Sequence, residues 1–310
     1  MTECERIIQQ GVLPESFFQE EEKCGFIITK ERKKLWAIEL DLLRKVDSIC
    51  KEYGIKYYAM GGTLLGTVRH EGFIPWDDDI DIAMFRADYD SFCEIARNEM
   101  SEPYFLQSAY DEKDYAISHV KIRNSNTVGA TKYDFEFDYN KGVFIDIFPI
   151  DNVPEDEDLR LELKEGVKKY RRLFDVGLRK FWYVEKEIIS EDEKRIDREK
   201  IDQMTLPVLY KEFEAFCGKY NGRKTKECGV LALELTTERF FWNREDYNET
   251  IWMPFEGFLM PVPSNYDNIL KKTYGNYQEL IKGGALHGTL LFDSDKSYKE
   301  YESLPIKVLE

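Results

Sequence analysis

Ala59-Met60-Gly61-Gly62-Thr63-Leu64-Leu65 and, ten residues further on, Pro75-Trp76-Asp77-Asp78-Asp79-Ile80-Asp81-Ile82-Ala83-Met84 are the stretches from which the rest of the chain is read. Ile55 to Met60 predicts a strand that runs into the Gly61-Gly62 turn. A short helix then begins near Thr63, with Leu64, Leu65 and Val68 on its apolar side. Pro75 breaks the connection to a second predicted strand, Asp79 to Met84, in which Ile80, Ile82 and Met84 alternate with Asp79, Asp81 and Ala83. Alternation at a period of two turns the Asp79 and Asp81 carboxylates to one face.

Before this unit, Glu31 to Tyr53 carries Leu35, Ile38, Leu42, Val46 and Ile49 at three- and four-residue spacing, the pattern of an amphipathic helix, and Gly54 ends it. After it, a helix is predicted over Ala87 to Glu99 and strands over Tyr104 to Ser108, His119 to Arg123 and Gly142 to Phe148. The polar and aromatic segment Asn124 to Asn140 reads as an adaptable loop. Glu155 to Tyr220 is charged and helix-prone, with a break near Pro207. A short strand or hairpin around Gly257 and a helix from Tyr266 to Tyr274, stopped by Gly275, follow. The fold class is α/β or α+β, divided into a catalytic core over 1–154 and a helical and mixed accessory region over 155–310 packed on it.

The chain has 310 residues, 43% of them hydrophobic, enough for a sizeable core. Met1 to Arg6 carries two glutamates and no lysine, and no apolar run follows, so a cytoplasmic location is expected. The six cysteines are dispersed and form no CxxC pair. A formal charge of −16 argues against nucleic-acid binding, which needs clustered positive charge. Lys168 to Tyr183 is a local exception: six basic residues, Lys168, Lys169, Arg171, Arg172, Arg179 and Lys180, stand against the single acid Asp175. Such a face suits peripheral contact with anionic headgroups or a polyanionic substrate, and helix packing is the plainer alternative.

Neighbouring acids with apolar flanks repel one another unless cations intervene, and carboxylate oxygens suit Mg²⁺, with Mn²⁺ as a substitute. Asp77 and Asp78 read equally well as a solvated turn. Asp79 and Asp81 read as metal ligands. Asp146 interrupts the apolar run Val143-Phe144-Ile145-Asp146-Ile147-Phe148-Pro149 and is the candidate third ligand, a core hydrogen-bond network being the alternative. Gly61 and Gly62 let the backbone turn closely around a phosphate, and the amides at the start of the Thr63 helix can face negative charge.

The run from Ala59 through Thr67-Val68-Arg69-His70, continuing through Gly72-Phe73-Ile74-Pro75-Trp76 to Asp81, resembles the LicD family of bacterial phosphocholine transferases. Lys121-Ile122-Arg123-Asn124 and Phe144-Ile145-Asp146-Ile147-Phe148-Pro149 extend the resemblance, which is strong over about Tyr57 to Asp151 and returns weakly over Phe255 to Tyr274. The family is related to the fukutin-type sugar-phosphate transferases, and the resemblance implies a nucleotidyltransferase-like mixed sheet. It also implies Asp79, Asp81 and Asp146 as the acids of the site and Gly61-Gly62 as its phosphate turn. The implied reaction is transfer of phosphocholine from CDP-choline, or another CDP-linked alcohol, to a hydroxyl of a cell-surface saccharide or its lipid-linked precursor, with release of CMP.

Lys121, Arg123 and Arg69 are then candidate phosphate contacts, and His70 a candidate catalytic residue that could bind phosphate, position the acceptor or shuttle a proton. Trp76, Tyr133, Phe135, Phe137, Tyr139, Trp182, Trp242 and Trp252 are candidate faces for a quaternary ammonium group. His119 is expected to orient the strand that carries Lys121, and the glycine-rich Gly283 to Gly288, with His287, reads as a lid or a flexible loop. Two alternatives stay open from the residues: nucleotidyl transfer from an NTP with release of pyrophosphate, and a non-enzymatic saccharide-binding protein.

Overall fold

Thr29 starts the long helix that backs the sheet: its hydroxyl accepts the Arg32 N–H, and Gly54, at φ 69°, ends the helix in the left-handed conformation. The computed structural model describes residues 1–178, 191–233, 235, 237–282 and 291–301. Its helices are α1 (Glu3–Gln9), α2 (Lys30–Tyr53), α3 (Gly61–His70), α4 (Arg86–Glu99), α5 (Glu157–Gly177), α6 (Glu191–Asp202), α7 (Leu206–Cys217) and α8 (Tyr266–Tyr274). Its strands are β1 (Glu21–Lys23), β2 (Phe26–Ile28), β3 (Tyr58–Ala59), β4 (Asp81–Phe85), β5 (Tyr104–Gln107), β6 (Val120–Asn124) and β7 (Val128–Ala130). After them come β8 (Val143–Val153), β9 (Glu227–Gly229), β10 (Phe241–Asn243), β11 (Thr250–Phe255), β12 (Phe258–Pro263) and β13 (Leu291–Asp293).

The spine of the fold is β8, eleven residues that are buried throughout. Its first half pairs antiparallel with β6 and parallel with β4, and its end pairs antiparallel with β9. With β3 beside β4, β5 beside β6 and β10 beside β9, this makes a mixed seven-stranded sheet with several helices, the α/β class expected. The apolar stripe of α2, Leu35, Ile38, Leu42, Val46 and Ile49, is buried in the main core together with Ile82, Ile145 and Ile147 of the sheet.

The region 155–310 divides between two cores. Trp242, Phe255, Met260, Val262, Ile269 and Leu270 join the main one, whereas Leu163, Val167, Phe174, Leu209 and Phe213 of α5 and α7 form a second with Val153. The break expected near Pro207 falls at residues 203–205, between α6 and α7. Pro207 itself sits in the first turn of α7 behind Thr205, where a missing N–H costs nothing. The segment Asn124 to Asn140 is also more ordered than its composition suggests, because β7 pairs with β13 and buries Val128 and Ala130 against Leu291. Residues 179–190, and with them Arg179, Lys180 and Trp182, lie outside the described residues, as do Gly283 to Gly288 and His287.

A bidentate ion pair bolts the two cores together. Arg86, at the start of α4, donates through Nε (2.9 Å) and Nη2 (2.6 Å) to Asp151 near the end of β8, and Asp151 also accepts from Asn221 Nδ2 (2.7 Å). Both side chains are largely withdrawn from solvent, so removing one leaves the other's charge uncompensated. Arg86→Met is therefore expected to lower the urea unfolding free energy by about 3 kcal/mol, and adding Asp151→Leu to recover most of that loss. Equal unfolding midpoints for Arg86→Met and the wild type would show that the pair contributes nothing.

Candidate active site

Three strands bring three charged side chains into one row. Asp81 on β4 is in parallel register with Asp146 on β8, and Asp146 is in antiparallel register with Lys121 on β6. Register partners share a face of the sheet, so the row reads Lys121, Asp146, Asp81. Lys121 Nζ lies 2.7 Å from Asp146 Oδ1, and His119 Nε2 lies 2.8 Å from the same oxygen. His119 and Lys121, two residues apart, thus hold one carboxylate from the same strand edge. Burial pulls the His119 pKa down against the opposing pull of Asp146, and a ring that carries its proton on Nε2 can donate to that oxygen. Its Nδ1 is buried without a hydrogen-bond partner among the described residues.

The other wall is the start of α3, whose N-cap, Met60, offers no side-chain cap. Met60 N–H donates to Asp81 O (3.1 Å), and Asp81 N–H donates to Thr63 Oγ1 (2.8 Å), which ties the helix start to the head of β4. Gly61 has φ 55°, and a Cβ there would sit 3.3 Å from Asp81 Oδ2. A Cβ on Gly62 would meet Asp77 Oδ2 at 2.6 Å. The two glycines are required because acids occupy the space a side chain would fill, while the free amides of the first turn point their positive end the same way.

The acidic loop is pinned from behind. Arg32 Nη1 (2.7 Å) and Trp36 Nε1 (3.0 Å) of α2 both donate to the Asp77 carbonyl, and Trp36 stacks on Phe73 at 4.4 Å. Trp76 is half-buried against the edge of Phe26. Carboxylate oxygens of Asp77, Asp78 and Asp79 come within 4.8 Å of one another. Burial, followed by the charges of Asp81 and Asp78, pushes the Asp77 carboxyl up to about 7. Burial, followed by Asp79 and Asp146, pushes Asp81 well above the usual carboxylate range. Behind them, fully buried Glu39 is raised by burial and then by Asp79, Asp78 and Asp77, and its Oε2 has no hydrogen-bond partner among the described residues. Crowded hard oxygens whose ionisation is suppressed by burial and then by mutual repulsion fit a divalent cation such as Mg²⁺.

Several expected placements change. Asp79 precedes β4, so strand alternation begins only at Asp81, and Asp79 reaches the cluster through the loop with Asp77 and Asp78. Arg123 does not face an open cleft: it is buried, with Nε on Gln107 Oε1 (2.5 Å) and Nη1 on Gly142 O (2.6 Å). Arg69 donates to the carbonyls of Tyr277 (2.8 Å) and Glu279 (3.1 Å), and so anchors the chain after α8. His70 ends α3, nine residues from Gly61 and roughly 13 Å away along the axis, too far for proton transfer at the acids. Among the aromatics, Trp242 is buried with Nε1 on Thr273, Phe137 stacks on Tyr139, and Phe135 packs beside Val128. Trp252 is exposed on β11. The basic face of α5 is partly spent, with Arg171 bound to the carbonyls of Leu231 and Leu233 and Arg172 to Asp197. Among the described residues no helix is long and apolar enough to cross a membrane.

An uncapped glycine helix start facing a row of acids on a mixed sheet is the geometry of an enzyme that works on phosphate. The family description LicD/FKTN/FKRP, nucleotidyltransferase domain, matches residues 54–171. Over 253 residues, 78% of this chain and 89% of the other, the sequence is 30% identical to the lipopolysaccharide cholinephosphotransferase LicD of Haemophilus influenzae. The ribitol 5-phosphate transferase FKRP of Mus musculus is 26% identical over 106 residues, 34% of this chain and 19% of that one. Its Homo sapiens counterpart is 39% identical over 54 residues, 17% and 11% of the two chains. The chain belongs to the LicD family and is a LicD-like phosphotransferase.

The His70 environment has a pH consequence. Its Nε2 accepts from Arg69 Nε (3.0 Å), and burial, then Arg69 and Lys23, hold its pKa down to about 4 from 6.5. Below pH 6.5 the unfolded chain takes up a proton that the folded chain refuses, so this contribution is complete above 6.5 and is lost as pH falls toward 4. Between pH 7 and 4 the wild type is expected to lose about 2 kcal/mol more than His70→Gln, read from paired urea titrations. Parallel pH profiles would contradict it.

Proposed function

We propose that this chain transfers phosphocholine from CDP-choline to a hydroxyl of a cell-surface saccharide or its lipid-linked precursor, releasing CMP. The observation that carries the proposal is the row Lys121, Asp146, Asp81 set against the Gly61-Gly62 start of α3. The name of the Haemophilus influenzae relative supports phosphocholine as the group transferred, and that of the FKRP relatives makes ribitol phosphate the second reading.

In the proposed reaction the acceptor oxygen forms a bond to the phosphorus that bears choline. The bond from that phosphorus to the CMP phosphate oxygen breaks, and the hydroxyl proton is released. Asp79, Asp81 and Asp146 would hold Mg²⁺, or Mn²⁺ in its place. When bound, the cation neutralises charge on the diphosphate and on the departing CMP. The chain itself supplies orientation. Lys121 and His119 fix Asp146, the Thr63 hydroxyl fixes the Asp81 backbone, and Arg32 with Trp36 fixes the loop of acids. The α3 amides at Gly61 and Gly62 offer N–H donors to a phosphate oxygen. We place this activity in the cytoplasm, with peripheral membrane contact through Lys168 and Lys169 on α5.

Asp79→Asn and Asp81→Asn are expected to keep the circular dichroism spectrum and melting transition while lowering kcat/KM for the donor by about 10²-fold or more. The assay uses Mg²⁺, CDP-choline, CDP-ribitol and CDP-glycerol with matched saccharide acceptors, and mass spectrometry of both products. CMP together with an acceptor carrying intact phosphocholine supports the proposal. Efficient ribitol transfer without choline transfer would replace the head group, and pyrophosphate from CTP would replace the reaction.

A further inference from the structure

The C-terminal end of α8 reaches the acids from the opposite side of the chain. Tyr274 is the last residue of α8, and Gly275, at φ 67°, stops the helix there. The space left by the absent side chain of Gly61 is flanked by two oxygens: a Cβ at that point would lie 3.3 Å from Asp81 Oδ2 and 3.7 Å from Tyr274 Oη. We infer that Tyr274 is a substrate contact whose phenol O–H donates a hydrogen bond to a non-bridging phosphate oxygen of the CDP-linked donor, beside the start of α3.

The hydroxyl has no other evident employment. It makes no hydrogen bond to any described residue, and Tyr274 is 39% exposed. An ordinary phenol, with a pKa of about 10, keeps its proton at neutral pH and so is a donor. Facing carboxylates and helix amides, such a donor meets its natural partner when a phosphate oxygen enters.

Its position is also braced. Thr273, next to it, is buried and accepts from Trp242 Nε1 (3.1 Å), while Tyr277 Oη donates to Asp267 Oδ1 (2.9 Å) at the first turn of α8. Arg69 of α3 holds the Tyr277 and Glu279 carbonyls, which couples the helix carrying Gly61 to the segment following Tyr274. The proposed phosphate contact of Arg69 is thereby replaced by an indirect one: Arg69 positions the residue that touches phosphate.

The inference rests on phosphoalcohol transfer, and the test separates the two. Wild type, Tyr274→Phe and Tyr277→Phe are compared in the full chain with Mg²⁺, by melting temperature, by calorimetric titration with CDP-choline and CDP-ribitol, and by turnover. Tyr274→Phe should leave the melting temperature unchanged, since the hydroxyl bonds no described residue. It should weaken donor binding and lower kcat/KM by about 10- to 100-fold, the range for a hydrogen bond to a charged oxygen. Tyr277→Phe, which loses a bond within the protein, should alter melting more than donor affinity. An active wild type with Tyr274→Phe within two-fold in both binding and kcat/KM overturns the Tyr274 assignment alone. A fall in melting temperature that accounts for the lost binding assigns Tyr274 to packing. A wild type that neither binds nor consumes any CDP-linked alcohol overturns the transfer reading and this inference with it.

Discussion

Carboxylates crowded onto one face of a sheet are the constraint around which this protein is built. Asp81 and Asp146 are neighbours across a parallel strand pair, and Asp77, Asp78 and Asp79 converge just ahead of Asp81. Two unit charges about 5 Å apart repel by roughly 3 kcal/mol at an effective dielectric constant of 20. Lys121 offsets the charge of Asp146, and the buried Arg32 lies behind the loop. The raised pKa values of Asp81 and Asp77 come first from burial and then from the neighbouring carboxylates that these cations leave unbalanced. A divalent cation entering such a site would relieve this repulsion, and its binding would then be coupled to the integrity of the acidic loop.

Distant parts of the chain are recruited to hold that arrangement. The long α2 places Arg32 and Trp36 on one carbonyl, and the second core, under α5 and α7, meets the sheet through Arg86 and Asp151. The hairpin β11–β12 and α8 share the main core with α2 and α3, which ties this part of the chain to the elements that carry the site. Arg32, Trp36 and Thr63 hold the acidic loop by its backbone, whereas Lys121 and His119 hold the Asp146 carboxylate itself.

Much of this was legible in the residues. Periodicity located α2 and α4, the stop at Gly275 marked α8, and the isolated charge of Asp146 in an apolar run marked it as special. Alternation tells which face a strand residue occupies, but not what waits there. Lys121 and Arg123 share a face, yet Lys121 meets Asp146 while Arg123 meets Gln107 and the Gly142 carbonyl. His70 follows the site in sequence but leaves it in space, since α3 carries it to the other end of the helix. Order in the segment Asn124 to Asn140 depends on β13, far along the chain, and the place of Tyr274 depends on α8 packing near α3. Contacts between residues so far apart have no local signature.

Mn²⁺ binding, followed by the electron paramagnetic resonance signal of the free ion, tests the acidic site most directly. The expected result is saturable binding to the wild-type chain, weakened at least about tenfold by Asp81→Asn and by Asp79→Asn and unchanged by His70→Gln. No binding by the folded wild type, or binding indifferent to Asp81→Asn, would contradict a cation site on this face of the sheet.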